Sequence, residues 1–342
     1  MRYRAFGRTG WQVSEVGFGT WSMGGWTGSD DEESLRALDR ALTLGCNFFD
    51  SAWAYGLGKS ERLLGQALRS RAHAERAERA ELSGSASPAR AANIRRPIVA
   101  TKIPPKNMKW PAKAEYPIGE TYPPDHIREY TEKSLENLGL DTIDLQQFHV
   151  WSDAWAQDEG WQRAVDDLKR EGLVGAVGIS VNRREPANVL RALETGMIDS
   201  VQVVYNIFDQ SPEDELFPYC EEHGIAVIAR VPFDEGSLTG ALTAHSTWPE
   251  GDFRNLYFTK ENLSATLDRV ERLRPLVPDG MDLPELALRF ILAHPAVSTT
   301  IPGMRRPRHV ERNLAVSDRA PVAPRLHDAL RAHRWDRLSL TP

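Results

Sequence analysis

Short runs of mostly apolar residues alternate with longer, amphipathic stretches along most of the chain. The runs are rich in β-branched side chains and show no polar alternation, which is typical of strands in a parallel sheet that is covered on both faces. Between them, apolar residues such as Leu35, Leu38, Ala41 and Leu42 recur at helical spacing. The predicted strands occupy residues 13–20, 46–52, 97–103, 142–150, 174–181, 199–208, 225–233 and 296–303.

Eight strand–helix units within 342 residues favour a closed barrel over an open, doubly wound sheet. We therefore predict one α/β domain over residues 1–342, a (β/α)8 TIM barrel of parallel strands with long loops at the strand ends. Residues 70–97 interrupt the alternation, because they are rich in Ala, Arg, Glu and Ser and carry no apolar face that demands burial. There we expect a surface insertion, made of a solvated helical extension and a flexible loop.

Charge and composition narrow the classes of function. The chain carries 42 Lys and Arg against 48 Asp and Glu, a net charge of −6, and nucleic-acid binding normally needs a basic patch. The sequence contains no apolar run of the ~18 residues that a membrane helix needs and no signal-peptide core. We therefore expect a cytoplasmic protein with no nucleic-acid or membrane partner, and association into a homo-oligomer stays open. Cys46 and Cys220 are predicted to be buried thiols, since two cysteines make no disulfide framework.

Polar residues at the predicted strand ends are the candidates for chemistry, because barrel enzymes act at the carboxyl ends of their strands. Asp50, Tyr55, Lys102 and His149 lie at or just after the ends of three successive strands. A lysine ammonium stabilises a phenolate and so lowers the pKa of a tyrosine, a carboxylate holds the lysine, and a histidine orients a carbonyl oxygen. Each residue alone has an ordinary explanation in turn capping, packing or solvation. Their conjunction predicts one acid–base site.

Other catalytic signatures are missing from the sequence. No G-x-G-x-x-G follows a predicted strand, which argues against a Rossmann dinucleotide site. The Gly-Lys-Ser of residues 58–60 lacks the first glycine of a P-loop, since Trp53 stands at that position. The sequence has neither an H-E-x-x-H motif nor a cluster of metal ligands, so we expect no metal.

The segment FDSAWAYGLGKSERLLGQAL at residues 49–68 resembles the signature of the aldo-keto reductases. In that signature an Asp at a strand end precedes a Tyr-Gly pair and a Ser-Glu-x-x-Leu-Gly helix. The likeness covers nearly the whole chain and is strongest for the bacterial reductases related to the β subunit of voltage-gated potassium channels. It continues, in the family's order, through VATKI, SLENLGLDTIDLQQFH, GISVN, VQVVYN, VPFDEGSLTG and IPGMRRPRHVERN.

This resemblance implies a (β/α)8 barrel that binds NADP(H) without a Rossmann fold. It also implies a catalytic tetrad, with Tyr55 as general acid or base, Lys102 held by Asp50 and lowering the pKa of Tyr55, and His149 orienting the substrate carbonyl. The implied activity is an NADP(H)-dependent oxidoreductase that reduces an aldehyde or ketone, or oxidises the alcohol. Two alternatives stay open, a regulatory subunit that binds NADP(H) and cofactor-assisted, redox-neutral chemistry on a sugar derivative.

The resemblance further implies which residues contact the cofactor. Ser180, Asn182 and Gln202 would hold the carboxamide, and Tyr205 would stack on the nicotinamide ring. The other implied contacts, at or after the ends of the first, second, seventh and eighth strands, are Gly19, Thr20, Trp21, Asp50, Pro232, Phe233, Gly236, Leu238, Arg254, Gly303, Arg305, His309 and Asn313.

The chain departs from the family's pattern where the adenosine end of the cofactor would bind. Ala241 stands where a lysine is common, His309 stands where Arg or Gln is typical, and Arg312 replaces a usual Glu. Arg305 and Arg306 can compensate by binding a 2′-phosphate, since a guanidinium holds phosphate in a bidentate fork. We therefore predict a preference for NADP over NAD.

Tryptophans near the strand ends bear on the substrate. Five of them fall in or near the strand-end loops, Trp21, Trp53, Trp110, Trp151 and Trp155, and predict an aromatic pocket for an apolar or planar carbonyl compound. Of these we take Trp21, Trp53 and Trp151 as the pocket residues.

Overall fold

The computed structural model of the chain describes residues 1–82 and 96–335. Within these residues, eight strands form one parallel sheet whose spatial order follows the order of the chain. Two further strands pair antiparallel to each other near the amino terminus. The strands are β1 (Tyr3–Ala5), β2 (Gln12–Ser14), β3 (Phe18–Gly19), β4 (Phe48–Asp50), β5 (Ile98–Ile103), β6 (Ile143–Phe148), β7 (Val174–Ser180), β8 (Ser200–Val204), β9 (Ala226–Arg230) and β10 (Val297–Thr300).

Helices connect the successive strands of the parallel sheet. Several begin at an aspartate whose carboxylate accepts a hydrogen bond from a free backbone N–H of the first turn, as Asp30, Asp158 and Asp282 do. The helices are α1 (Asp31–Thr43), α2 (Lys59–Leu82), α3 (Ile118–Thr121), α4 (Pro124–Leu138), α5 (Glu159–Arg170), α6 (Leu190–Glu194), α7 (Leu216–His223), α8 (Arg254–Tyr257), α9 (Lys260–Leu273), α10 (Leu283–Ala293), α11 (Pro307–Ala315) and α12 (Pro324–Arg331).

Backbone hydrogen bonds between the first and last strands close the sheet. The Gly17 N–H donates to the Thr300 carbonyl at 2.8 Å, and the Gly19 N–H donates to the Pro302 carbonyl at 3.1 Å. A Cβ at Gly19 would lie 2.7 Å from the carbonyl oxygen of Ile301, so this close approach needs a glycine. The predicted (β/α)8 barrel is confirmed.

The amino-terminal hairpin is a feature that the sequence analysis missed. The predicted strand over 13–20 divides into β2, which pairs with β1, and β3, which joins the barrel. Phe6 in the hairpin is fully buried, and its ring centroid lies 5.3 Å from that of Phe48 at the start of β4. Phe6 and Val13 belong to the apolar cluster that fills the barrel interior, so the hairpin plugs the barrel at the amino ends of its strands.

Helices α2, α6 and α12 depart from a regular strand–helix alternation. Helix α2 runs on to Leu82, so the first part of segment 70–97 continues this helix, while the flexible loop expected in that segment falls largely on residues 83–95, outside the described residues. Between β7 and β8, α6 covers the five residues Leu190–Glu194. The Glu185 carboxylate before it accepts hydrogen bonds from the Asn182 and Asn188 side chains and thereby favours turns. Helix α12 follows α11 and lies beyond the eighth strand–helix unit.

Both cysteines are buried and unpaired, as predicted. Burial raises the pKa of each thiol to about 12, so both stay protonated and unreactive at neutral pH. None of the helices in the described ranges is both long and apolar enough to cross a bilayer.

The packing of Phe6 inside the barrel leads to a prediction about the free energy of unfolding. Phe6→Ala is expected to lower the free energy of unfolding by about 3–5 kcal/mol, because it leaves a cavity beside Phe48 in the barrel interior. Urea unfolding followed by circular dichroism measures the change. Leu256→Ala is the control, since this side chain is 66% exposed, and we expect it to change the free energy by less than about 0.5 kcal/mol. Equal values for the two variants would show that the hairpin is not part of the cooperative core.

Candidate active site

A buried carboxylate organises the carboxyl end of the barrel. Asp50, the last residue of β4, accepts hydrogen bonds from Gln147 on β6 at 3.0 Å and from Gln202 on β8 at 2.7 Å. Its other oxygen lies 2.6 Å from the Lys102 ammonium on β5. These side chains come from four different strands and share one side of the strand alternation, which directs them to the barrel axis.

Lys102 is fully buried and uses all three of its N–H donors. Besides Asp50, its ammonium contacts the Ser51 carbonyl at 2.7 Å and the Tyr55 hydroxyl at 3.3 Å. Burial lowers the pKa of Lys102, but Asp50 and Tyr55 together raise it above its ordinary value. Lys102 is therefore a permanent cation that connects the carboxylate to the phenol.

Tyr55 reaches this cation from the turn after β4. The turn depends on Gly56, whose φ is +66° and where a Cβ would collide with the carbonyl oxygen of Gly24. Burial raises the pKa of Tyr55, and the Lys102 charge lowers it by less. Lys102 thus acts in the expected direction, but burial dominates, and the phenol is protonated at neutral pH.

His149 follows β6 and faces Tyr55 edge-on, with ring centroids 5.6 Å apart. Burial, together with the charges of Lys102 and Arg230, holds the pKa of His149 well below its ordinary value. The imidazole is therefore neutral and keeps one N–H to donate. The structure brings the four predicted tetrad residues into one cluster.

A cleft of about 510 Å³ opens at this cluster. Tyr55, His149 and Asp50 line its inner part. Of the predicted cofactor contacts, those that also line it are Gly19, Trp21, Gln202, Pro232, Phe233, Gly236, Arg254, Gly303, Arg305 and His309.

The wall of the cleft also carries basic side chains. Arg305 lines the cleft and donates to the Thr27 carbonyl at 3.1 Å. Arg254 is bound to Asp252 at 2.6 Å. His309 lies in the same wall. Burial lowers the pKa of His309 most, and the charges of nearby arginines lower it further. Guanidinium and imidazole groups suit phosphate oxygens, so this donor set fits a nucleotide whose reactive end meets Tyr55.

Three aromatic rings pack together over the cleft. The Trp21 ring centroid lies 4.3 Å from that of Trp26 and 5.2 Å from that of Phe253. All three rings line the cleft. This contact joins the loop after β3 to the segment that precedes α8.

Several predicted cofactor contacts lie behind the cleft wall. Thr20 donates to the Ser51 hydroxyl at 3.0 Å, and Asn182 donates to the Ala112 carbonyl at 2.9 Å. The buried residues Ser180, Leu238 and Asn313 likewise do not line the cleft. Their contacts with a cofactor stay predictions.

Tyr205 corrects the predicted nicotinamide stack. Its side chain is fully buried, and its hydroxyl donates to Glu213 at 2.7 Å. Phe217 and Phe290 pack against its ring, with centroids 4.9 and 5.7 Å away. Tyr205 has the parity of Val201 and Val203, which lie in the same apolar cluster, and its N–H still donates to the Arg230 carbonyl at 3.3 Å. The alternation of β8 therefore directs its ring away from the barrel axis and into the helix layer.

The predicted tryptophan pocket also needs correction. Trp151 is fully buried, with its ring centroid 5.2 Å from that of Phe148 and 5.3 Å from that of Trp161. Trp53 packs edge-on against Tyr130 of α4 at 4.7 Å. Of the three, only Trp21 lines the cleft.

Two further side chains lie near the tetrad, Trp110, one of the tryptophans near the strand ends, and Arg230, to which the sequence analysis gave no role. Trp110, in the loop after β5, lies edge-on to His149 at 5.8 Å and is 44% exposed. Nothing in the sequence places this loop residue over His149. Arg230, the last residue of β9, lines the cleft together with Tyr55. It stands two and four residues after Ile228 and Ala226, so the alternation of the strand predicts that its side chain points to the barrel axis as theirs do.

Metal chemistry has no apparent site in the described ranges. Across residues 1–82 and 96–335, no group of three or more His, Cys, Asp or Glu side chains is arranged to hold an ion.

Comparisons with known proteins agree with the geometry. The Aldo/keto reductase family profile matches residues 15–334. The chain is 29% identical to aldo-keto reductase YhdN of Bacillus subtilis, over 91% of this chain and 87% of the relative. It is 27% identical to an NADH-specific methylglyoxal reductase of Escherichia coli, over 92% and 93%. The holo structure of aldo-keto reductase AKR11C1 from Bacillus halodurans superposes with a TM-score of 0.72 at 28% identity, covering 99% of this chain and 98% of that one. The resemblance that the sequence motifs carried is confirmed, and the chain belongs to the aldo/keto reductase family of oxidoreductases.

Proposed function

We propose that the protein catalyses the NADP(H)-dependent reduction of an aldehyde or ketone, or the reverse oxidation, with Tyr55 as the proton donor. The observation that carries the proposal is the Lys102 ammonium, which bridges the Asp50 carboxylate and the Tyr55 hydroxyl at 2.6 and 3.3 Å. His149 faces the same phenol. Arg254 and Arg305 line the same cleft as Tyr55 and His149.

The chain's own residues handle the charge that develops on the substrate oxygen. A nicotinamide bound in the cleft would supply the hydride. The Tyr55 hydroxyl and the N–H of neutral His149 are both placed to donate to the carbonyl oxygen. As negative charge grows there, Tyr55 gives up its proton.

Lys102 stabilises the phenolate that Tyr55 forms when it gives up its proton. Its ammonium interacts more strongly with the phenolate than with the phenol, so it stabilises the transition state more than the ground state. Asp50 keeps the ammonium in place, and Gln147 and Gln202 fix the carboxylate. The buried cluster therefore contributes to catalysis by stabilising the transition state more than the ground state.

The preference for NADP over NAD rests on Arg305. This side chain lines the cleft and forms no ion pair with any carboxylate of the described residues. Arg306, by contrast, faces Glu33 at 3.4 Å and does not line the cleft. A named relative is NADH-specific, so family membership alone does not fix the cofactor. We assign the 2′-phosphate to Arg305 rather than to both arginines.

Removing the Tyr55 hydroxyl tests the proton donor. We expect Tyr55→Phe to lower kcat for NADPH-dependent carbonyl reduction by about 10²–10⁴-fold, the usual contribution of a general acid. NADPH binding, measured by fluorescence titration, should stay within about twofold, since only proton transfer is removed. Tyr130→Phe on α4 is the matched control and should behave as wild type. A Tyr55→Phe rate above one tenth of the wild-type rate would contradict the role of Tyr55. If the wild-type protein binds NADPH but shows no net turnover, a regulatory subunit is favoured instead.

The pH profile tests the protonation states. Reduction needs protonated Tyr55, so its contribution is present below the pKa of Tyr55 and is lost as pH rises through that pKa. Because burial places this pKa above the ordinary ~10, and the pKa of His149 lies well below its usual value, neither group titrates near neutrality. We expect kcat/KM for a neutral aldehyde at saturating NADPH to vary by less than about twofold between about pH 6 and 9. A midpoint near pH 7 would contradict these assignments.

The cofactor assignment makes a paired prediction. Arg305→Ala should weaken NADPH binding by about tenfold to a hundredfold, as the loss of a charge-assisted hydrogen bond does. NADH binding should hardly change, because NADH has no 2′-phosphate. Arg306→Ala is the control and should leave both affinities near wild type. Equal losses for both nucleotides, measured by fluorescence titration, would place Arg305 elsewhere on the cofactor.

A further inference from the structure

The loop after β5 presents a tryptophan beside the tetrad. Trp110 contacts the imidazole of His149 edge-on, with ring centroids 5.8 Å apart and an interplanar angle of 82°. Tyr55 contacts the same imidazole edge-on from the turn after β4, at 5.6 Å. Two aromatic side chains therefore pack against the histidine, and only Tyr55 has a part in the proposed proton transfer.

Packing does not account for the position of the Trp110 ring. Trp151, Trp155 and Trp161 are buried, and each donates its indole N–H to a protein oxygen. Trp110 is 44% exposed, so a large part of an apolar side chain stays in contact with water next to the site. Exposed apolar surface is unfavourable, and a ligand that covers the ring removes it from water.

The loop that carries Trp110 is held on both sides of the ring. Before it, the Lys106 N–H donates to the Thr121 carbonyl of α3 at 2.9 Å. After it, the buried residue Ala112 accepts a hydrogen bond at its carbonyl from the Asn182 side chain at 2.9 Å. Because the backbone is already fixed to α3 and to the segment after β7, a ligand that packs on the indole has little of the loop to order.

Exposed apolar side chains concentrate at this end of the barrel. Among the residues that the structure describes, the large apolar side chains that are exposed are Trp21, Leu57, Met108, Trp110 and Leu256. All but the last lie in the loops after β3, β4 and β5, and β4 and β5 carry Asp50 and Lys102. Apolar surface exposed around a few polar, convergent groups is typical of a ligand-binding site.

The distances bring the Trp110 ring within reach of a substrate. A carbonyl oxygen that accepts hydrogen bonds from Tyr55 and His149 lies about 3 Å from the donor atoms. A ring one or two carbons away from that carbonyl can meet the indole, since paired aromatic rings have centroids about 4.5–7 Å apart. Trp110 does not line the cleft in which we place the cofactor, so its exposed surface is left for the substrate.

We propose that Trp110 is a specificity-determining residue that packs against the side group of the substrate, so that the protein prefers carbonyl compounds with an aromatic ring to those with a saturated ring of the same size. This inference rests on the proposed carbonyl reduction and names its substrate class. An edge-to-face or offset-stacked pair with the indole adds attraction beyond the burial of apolar area. A saturated ring is buried equally well but lacks that attraction.

Matched aldehydes test the proposal. The pairs are phenylacetaldehyde against cyclohexylacetaldehyde and 3-phenylpropanal against 3-cyclohexylpropanal, at saturating NADPH. The carbonyl is not conjugated to the ring in any of these compounds, so intrinsic reactivity is matched within each pair. For wild type we expect kcat/KM for the aryl member of at least one pair to exceed that of its cyclohexyl partner by about 3- to 10-fold. The difference should lie mainly in KM, because the ring contact is made in the ground state as well as in the transition state.

Substitutions at Trp110 separate a substrate contact from support of the site. Trp110→Leu keeps an apolar side chain but removes the aromatic face, so the aryl-to-cyclohexyl ratio should fall to about one or below. Trp110→Phe should keep most of the preference. Trp11→Leu is the control, because this ring stacks on Phe6 at the opposite end of the barrel, and it should leave the ratio unchanged. Each ratio is taken within one enzyme, so a general loss of rate cancels.

The outcomes distinguish this inference from the proposed function. A wild-type ratio of one or below for both pairs would overturn the role of Trp110 and leave carbonyl reduction standing. A ratio that survives in Trp110→Leu would also overturn it, and an equal loss of kcat for both members of a pair would show that the ring only supports His149. If none of these aldehydes is turned over, the proposed function fails and this inference fails with it. Should Trp110→Leu not fold, the same ratio in Trp110→Gln decides the question.

Discussion

The contact between the Lys102 ammonium and the Asp50 carboxylate, deep in the carboxyl end of the barrel, is the interaction on which the site depends. Neither charge would be tolerable alone at that depth. Together, and with Gln147 and Gln202 on the second carboxylate oxygen, they form a saturated polar layer above an apolar interior. At the cleft, the Lys102 cation of this layer contacts the Tyr55 phenol. The rest of the barrel holds this arrangement rigid.

The strands and the tetrad could be predicted because they follow from two regularities. Apolar runs mark the strands of a covered parallel sheet, and the carboxyl ends of those strands meet at one face. Asp50 and Lys102 are the last or nearly the last residues of their strands, so their direction is set by pairing. Arg230 obeys the same parity as Ala226 and Ile228 and was predictable in principle.

The two errors have different causes. Tyr205 continues the alternation of β8 with the outward parity of Val201 and Val203, so its direction was predictable from the strand. Trp151 stands three residues beyond β6, where no ladder directs its side chain. Both turn into the helix layer, where Glu213 satisfies the hydroxyl of one and aromatic neighbours enclose the other. The net direction of the Tyr55 pKa escaped prediction for another reason, because the sequence reveals the lysine but not the depth of burial. Trp110 reaches His149 from a loop whose course no periodicity encodes.

The filled interior of the barrel, which the hairpin β1–β2 completes at the amino end, has a consequence for the order of binding. Inward side chains of the strands pack together with Phe6 and Val13, so the cleft lined by Trp21 and Phe253 ends on a solid core. Whatever occupies the deepest part of such a cleft has to enter before anything that sits above it and leave after it. The packed core thereby favours an ordered sequence of arrivals and departures.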